Sequence, residues 1–137
     1  QHQNMTNYHS ENPMQGAAWA AARNMWRQAD LQPRDVKVAQ IYDAFTPLIP
    51  FCLEAYGFCG VGEGAAFTEN GALELGGGLP INTSGGSLSE AYIHGMNLIT
   101  EGVRQIRGTS TAQVPNADVC LVTSAYVVPT SAVLLRR

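Results

Sequence analysis

Apolar positions along this chain fall into blocks of two periods, separated by runs rich in Gly and Pro. The spacing predicts a first helix from Pro13 through Ala17, Ala18, Trp19 and Ala20 to about Asp30. Ala is the strongest helix former, and Asn12-Pro13 supplies an N-cap followed by Pro at the first helical position. Trp19, Met25 and Trp26 give that helix bulky anchors, and Leu31-Gln32-Pro33-Arg34-Asp35 breaks it. Val36 to Ile41 reads as a strand leading into Tyr42-Asp43-Ala44-Phe45. Thr46-Pro47 then opens a short helix to about Tyr56, which Gly57 ends.

The stretch from Gly60 to Gly78 is the loosest, with a short strand or hairpin expected around Ala66-Phe67-Thr68 and Asn70-Gly71. Leu79-Pro80-Ile81-Asn82 is extended and runs into the glycine turn Thr83-Ser84-Gly85-Gly86. Ser87 or Ser89 can cap a long helix to about Arg107, with Leu88, Ala91, Leu98, Ile99, Val103 and Ile106 at helical spacing and Gly108 as its stop. Residues 118–128 and 130–135 read as two closing strands parted by Pro129. Strands alternating with helices imply an α/β fold, here a mixed five-stranded sheet with helices on both faces, in which helix 89–107 is the most buried. Residues 1–12 form a polar tail or loop and residues 13–137 one domain.

With 137 residues and 45% hydrophobic content, one domain with a real core is expected. Only 14% of residues are charged, and the net charge is −3. That is about half the usual charged share, so a disordered chain is excluded and part of the surface is expected to be covered by other polypeptide. The acidic balance excludes a nucleic-acid module, which needs a basic face. No run approaches the roughly 18 apolar residues of a membrane span, and residues 1–11 lack the layout of a signal peptide. A chain opening on Gln1 rather than Met is expected to be processed or part of something longer. Cys52, Cys59 and Cys120 are odd in number without CxxC spacing, which disfavours a disulfide framework or zinc site and fits a reducing cytoplasm.

The candidate chemistry begins at the strand-to-helix junction. Around Asn82, Ser84, Gly85 and Gly86, glycines let backbone N–H groups approach a ligand, and a helix N-terminus favours an anion or a developing oxyanion. The bland alternative is a tight turn whose glycines only satisfy backbone geometry. Tyr42 follows a strand, a place where side chains are presented at sheet ends. Tyr92 would lie in the first turn of the long helix, and Tyr56 and Tyr126 complete the set of phenols. A phenol titrates near 10 and needs help to exchange protons near neutrality, whereas most tyrosines are simply packed. His94, outside the tail that holds the other two histidines, would point about 200° away from Tyr92 on a helix. It has no second His nearby, so no metal site is expected.

Three stretches together carry a specific resemblance: Ile41-Tyr42-Asp43-Ala44-Phe45-Thr46, Gly57-Phe58-Cys59-Gly60-Val61-Gly62-Glu63-Gly64, and Leu79-Pro80-Ile81-Asn82-Thr83-Ser84-Gly85-Gly86. From about Pro13 to Arg137 the chain resembles the C-terminal half of the thiolase superfamily, in the lipid-transfer branch that includes sterol-carrier thiolases and steroid side-chain aldolases. The resemblance implies a missing N-terminal half, a homodimer, and acyl-CoA as substrate with no other cofactor. In the aldolase branch it also implies a small partner built from a zinc ribbon and an OB-fold.

Departures from the thiolase pattern point to the function. The triplet matching the thiolase Gly-His-Pro element is Ala91-Tyr92-Ile93, so Tyr92 stands for its His. Tyr42 stands for the Asn of the Asn-Glu-Ala-Phe element, and Ser124-Ala125-Tyr126 replaces Cys-x-Gly, with Cys120 four residues early. The resemblance therefore implies retro-aldol cleavage of a β-hydroxyacyl-CoA, with Tyr42 and Tyr92 as catalytic groups. Asn82, Ser84, Gly85 and Gly86 would bind substrate or oxyanion, with Tyr126 and His94 as further candidates. A non-catalytic lipid- or acyl-CoA-binding homologue and an acetyl-CoA acetyltransferase are the alternatives.

Overall fold

A computed structural model describes residues 12, 15–90, 93–127 and 130–137. Helix α1 spans Ala17–Gln28, strand β1 Val38–Gln40, helix α2 Leu48–Ala55 and the short helix α3 Gly64–Phe67. They are followed by α4 (Gly86–Ser89), α5 (Met96–Arg107), β2 (Val119–Thr123) and β3 (Ala132–Arg136). The sheet order is β1-β2-β3, with β1 parallel to β2 and β2 antiparallel to β3. Ile81 adds one parallel bridge to Ala39 on the free side of β1.

Every residue of β1 and β2 is buried, because the sheet is covered on both faces. Period-two alternation sorts their side chains. Ala39, Ile41, Val119 and Leu121 join the cluster of α1 and α2 residues, including Ala18, Ala22, Cys52, Leu53 and Tyr56. Val38, Cys120 and Val122 face the other way, onto Leu98 of α5 with Val114 and Ala117. The small residues of α1 let it lie close to its neighbours, and Trp26 Nε1 donates to the Tyr56 carbonyl at 3.2 Å. The expected α/β layering, mixed strand directions and helices on both faces are all present.

Three expectations are corrected. The sheet has three strands and one bridge among the described residues, not five strands. Where a hairpin was expected near residues 66–71, the chain forms α3 and turns. The carboxylates of Glu63 and Glu54 accept from the N–H groups of Gly60 and Gly64 at 2.8 and 3.0 Å, which favours a helical turn over strand pairing. The long helix to Arg107 is two helices, because His94 (φ 49°) and Gly95 (φ 86°) lie in the left-handed region and stop any helix crossing them.

The buried face of α5 is largely polar. Leu88 is 60% exposed and Ile99 is exposed, whereas Asn97, Leu98, Glu101, Gly102 and Gln105 are buried. Of the expected apolar positions Leu98 lies in the core and Ile106 packs against it, while Leu88 and Ile99 face outward. The helix buries a polar row at i, i+4 and i+8, which hydropathy reads as a solvated side.

Candidate active site

The C-terminal end of β1 and the glycine turn lie side by side, joined by the side chains of Asn82 and Asp43. Asn82 is held in a left-handed conformation (φ 47°), and its amide Oδ1 accepts from Ile41 N–H at 2.7 Å. Its Nδ2 donates to the Ile41 carbonyl at 2.9 Å. Asp43, only 6% exposed, accepts from the Ser87 N–H through Oδ1 at 2.7 Å. Between them Tyr42 N–H donates to Thr123 Oγ1 at 3.4 Å, which ties the same segment to the end of β2.

Gly86 is required by this arrangement. Its φ of 66° is one that L side chains resist, and a Cβ there would collide with the Asp43 carboxylate. Gly85 (φ 105°) closes the turn by donating its N–H to the Asn82 carbonyl at 2.8 Å.

Behind the turn lies a buried polar network that sequence reasoning missed. The Thr83 hydroxyl donates to Glu101 Oε1 at 2.6 Å and accepts from Gln40 Nε2 at 3.1 Å and Gln105 Nε2 at 2.9 Å. Ser110 Oγ and Gln105 Nε2 donate to the same Glu101 oxygen at 2.6 and 3.0 Å. Gln105 Oε1 in turn accepts from Val114 N–H, fixing the loop after α5. Glu101 is 2% exposed, so these donors replace the water a carboxylate needs. The only signal in the sequence was the Asn97, Glu101, Gln105 spacing of four. Asp43 was equally legible, as the one acid in the strand-end motif.

The candidate residues divide. Tyr42 is half-buried, and its ring stacks on His94 with centroids 6.1 Å apart and planes 16° apart. His94 therefore reaches the strand end from a loop, not from a helix face. Tyr92 lies outside the described residues. Ser84 Oγ and Ser87 Oγ are buried without a hydrogen-bond partner among the described residues. Such groups cost about 1–3 kcal/mol unless something satisfies them. The Asn82 amide and the Ser87 N–H are already engaged with Ile41 and Asp43, whereas these two hydroxyls have no partner among the described residues.

Tyr126 sits elsewhere. Its hydroxyl accepts from Gly16 N–H at 3.1 Å, its carbonyl accepts from Ala18 N–H at 3.0 Å, and its ring packs on Phe51. Tyr56 is a core residue whose phenol is pushed up by burial and then by the nearby Cys52 thiol. The three cysteines are free. Burial pushes Cys52 and Cys120 up to about 12, with Glu101 adding to the shift at Cys120. Neither supplies a thiolate near neutrality. Among the described residues no His/Cys/Asp/Glu group is arranged to hold a metal, and no helix is long and apolar enough to cross a membrane.

A model of the thiolase C-terminal domain-like family matches residues 1–135. The chain belongs to that family. Among thiolase-like relatives, the 17-hydroxy-3-oxo-4-pregnene-20-carboxyl-CoA lyase of Mycobacterium tuberculosis is 55% identical over 113 residues, 82% of this chain and 29% of that protein. The steroid side-chain-cleaving aldolase of Thermomonospora curvata is 50% identical over 113 residues, with the same two shares. A solved structure described as Ltp2-ChsH2(DUF35) aldolase superposes with a TM-score of 0.87 at 42% identity, covering 94% of this chain and 34% of that one. The chain thus spans about a third of the length of these thiolase-like relatives.

Proposed function

We propose that this thiolase-like domain belongs to a carbon–carbon lyase that cleaves a β-hydroxyacyl-CoA by retro-aldol reaction, the substrate being a steroid side-chain CoA thioester. The observation that carries the reading is a strand-end phenol, Tyr42, beside a locked glycine turn in a chain whose buried cysteines are held as neutral thiols. Lyase and aldolase relatives support it. A base removes the proton of the β-hydroxyl, the Cα–Cβ bond breaks, and its electron pair passes into the thioester enolate. A ketone leaves, and protonation of the enolate carbon gives the shortened acyl-CoA. No acyl-enzyme forms, so no nucleophilic Cys is required.

Tyr42 and Tyr92 serve as the proton-transfer pair, and the turn of Asn82, Ser84, Gly85 and Gly86 faces the acyl group, with the Ser84 and Ser87 hydroxyls among its donors. The working enzyme is a cytoplasmic homodimer that includes an N-terminal half and a zinc-ribbon/OB-fold partner, and this chain alone is inactive. The test is turnover of a β-hydroxyacyl-CoA by the complete polypeptide with its partner, carrying Tyr42→Phe or Tyr92→Phe. A loss of about 10²-fold or more in each, with folding intact, is expected of general acid–base groups. Turnover within about threefold of the parent in both, under roughly 1 kcal/mol of barrier, refutes the reading. Tight acyl-CoA binding without cleavage by the parent protein would instead indicate a binding module.

A further inference from the structure

The interruption between α4 and α5 has a consequence for Tyr42. Residue 94 lies at φ 49° and residue 95 at φ 86°, two successive left-handed residues where helical spacing would continue a helix. Glycine adopts that conformation freely, whereas a side chain there is held against its own backbone preference. Asn suits the position at least as well as His, because its short polar side chain bonds locally. Backbone tolerance therefore does not explain an imidazole at this site.

What the imidazole does is stack. The rings of His94 and Tyr42 are nearly parallel, at 16°, with centroids 6.1 Å apart. That separation lies within the range of about 4.5–7 Å in which aromatic pairs attract. The backbone around Tyr42 is already fixed, by Thr123 at its own N–H, by Asn82 at Ile41 and by Asp43 at Ser87. The Tyr42 ring packs against the buried cluster of Val38, Leu98, Cys120 and Val122, and the His94 imidazole adds a flat, nearly parallel face to that packing.

We propose that His94 is a positioning residue for Tyr42, its stacked imidazole setting the plane in which the phenol hydroxyl meets the substrate. The inference rests on the reading of Tyr42 as a proton-transfer group. It assigns His94 no proton transfer of its own.

The test uses the complete polypeptide with its partner, measuring kcat, KM and thermal midpoint for the parent, His94→Asn, His94→Phe, His94→Trp and Tyr42→Phe. His94→Asn keeps a residue suited to the left-handed backbone and removes the ring. It should leave the thermal midpoint unchanged or higher and KM within about twofold, while kcat falls about tenfold or more, since misplacing a reacting group by about 1 Å can cost 10²-fold. His94→Phe restores a flat face and should return kcat to within about threefold of the parent, even with a lower midpoint. His94→Trp provides a second flat ring if the Phe variant does not fold. A purely structural role of the stack predicts instead a lower midpoint in His94→Asn with kcat of the folded enzyme unchanged.

Parent-like kcat in His94→Asn, or an equal loss in His94→Asn and in the ring-bearing variants, overturns the proposal. If Tyr42→Phe is inactive while His94→Asn is unaffected, only the positioning role fails. If Tyr42→Phe is itself unaffected, the catalytic reading of Tyr42 fails and this one with it.

Discussion

Asn82 closes a two-bond ring on the backbone of Ile41 with its side-chain amide, so the residue that opens the glycine turn is also the last rung of the sheet. The main-chain bond from Asn82 N–H to the Ala39 carbonyl, at 3.0 Å, ends the parallel pairing one step earlier. The amide then imitates a further strand residue, offering one acceptor and one donor.

Asn82→Asp should therefore be as damaging as Asn82→Ala. The carboxylate keeps the acceptor for Ile41 N–H but faces the Ile41 carbonyl with a second acceptor. Leaving a buried backbone group unpaired costs about 1–3 kcal/mol, so both variants should lose that much stability in chemical denaturation of the complete polypeptide. Turnover should fall with it, because the turn and the Tyr42 segment lose their common rivet.

The two phenols with clear surroundings should separate cleanly. Tyr126→Phe removes the acceptor of the Gly16 N–H and should lower stability by about 1–3 kcal/mol. Cleavage by the folded enzyme should stay within about threefold of the parent, well short of the 10²-fold expected for Tyr42→Phe. A large kcat loss in Tyr126→Phe at full stability would move that residue into the site.

Thr83→Val keeps the shape of the side chain and deletes its hydroxyl. Glu101 then loses one donor, and Gln40 and Gln105 lose their shared acceptor. A loss of about 1–3 kcal/mol in stability is expected, measured by denaturant unfolding. Glu101→Leu, which removes the hub, should exceed it because the Thr83 and Ser110 hydroxyls lose their acceptor together.

The buried thiols predict a loss of stability in alkali. In the unfolded chain Cys52 and Cys120 ionise near their ordinary value of 9.0, whereas in the fold they stay neutral to about 12. Between these limits the unfolded state binds fewer protons, so stability falls as pH rises through that window. Alkylation at pH 8 should correspondingly reach the half-exposed Cys59 first and leave Cys52 and Cys120 protected until the protein unfolds. Mass spectrometry of the labelled protein gives the order.

Much of the architecture was legible locally. Helix α1, strand β1, helix α2 and the closing strands all formed within a few residues of where composition and spacing put them, and Gly57 and Gly108 follow the ends of α2 and α5. These features depend on neighbours in sequence: Ala-rich propensity, β-branched runs, and a glycine able to adopt a left-handed stop. The glycine turn and Tyr42 were likewise found from their place at strand ends.

The sequence by itself determined the α/β layering, the helix stops and the position of the glycine turn, because those follow from periodicity and from residues with special backbone freedom. Tertiary structure decided the rest. It split the long apolar stretch into α4 and α5 at His94-Gly95, and it turned the polar row of Asn97, Glu101 and Gln105 inward. Hydropathy scores each residue as if its partner were water, whereas Glu101 and Gln105 are buried because Thr83, Ser110 and Val114 meet their polar atoms. The same holds for Asp43, whose role exists only where the chain brings Gly86 and Ser87 to its carboxylate. Pairing across more than forty residues has no period to read; it is fixed when the layers close.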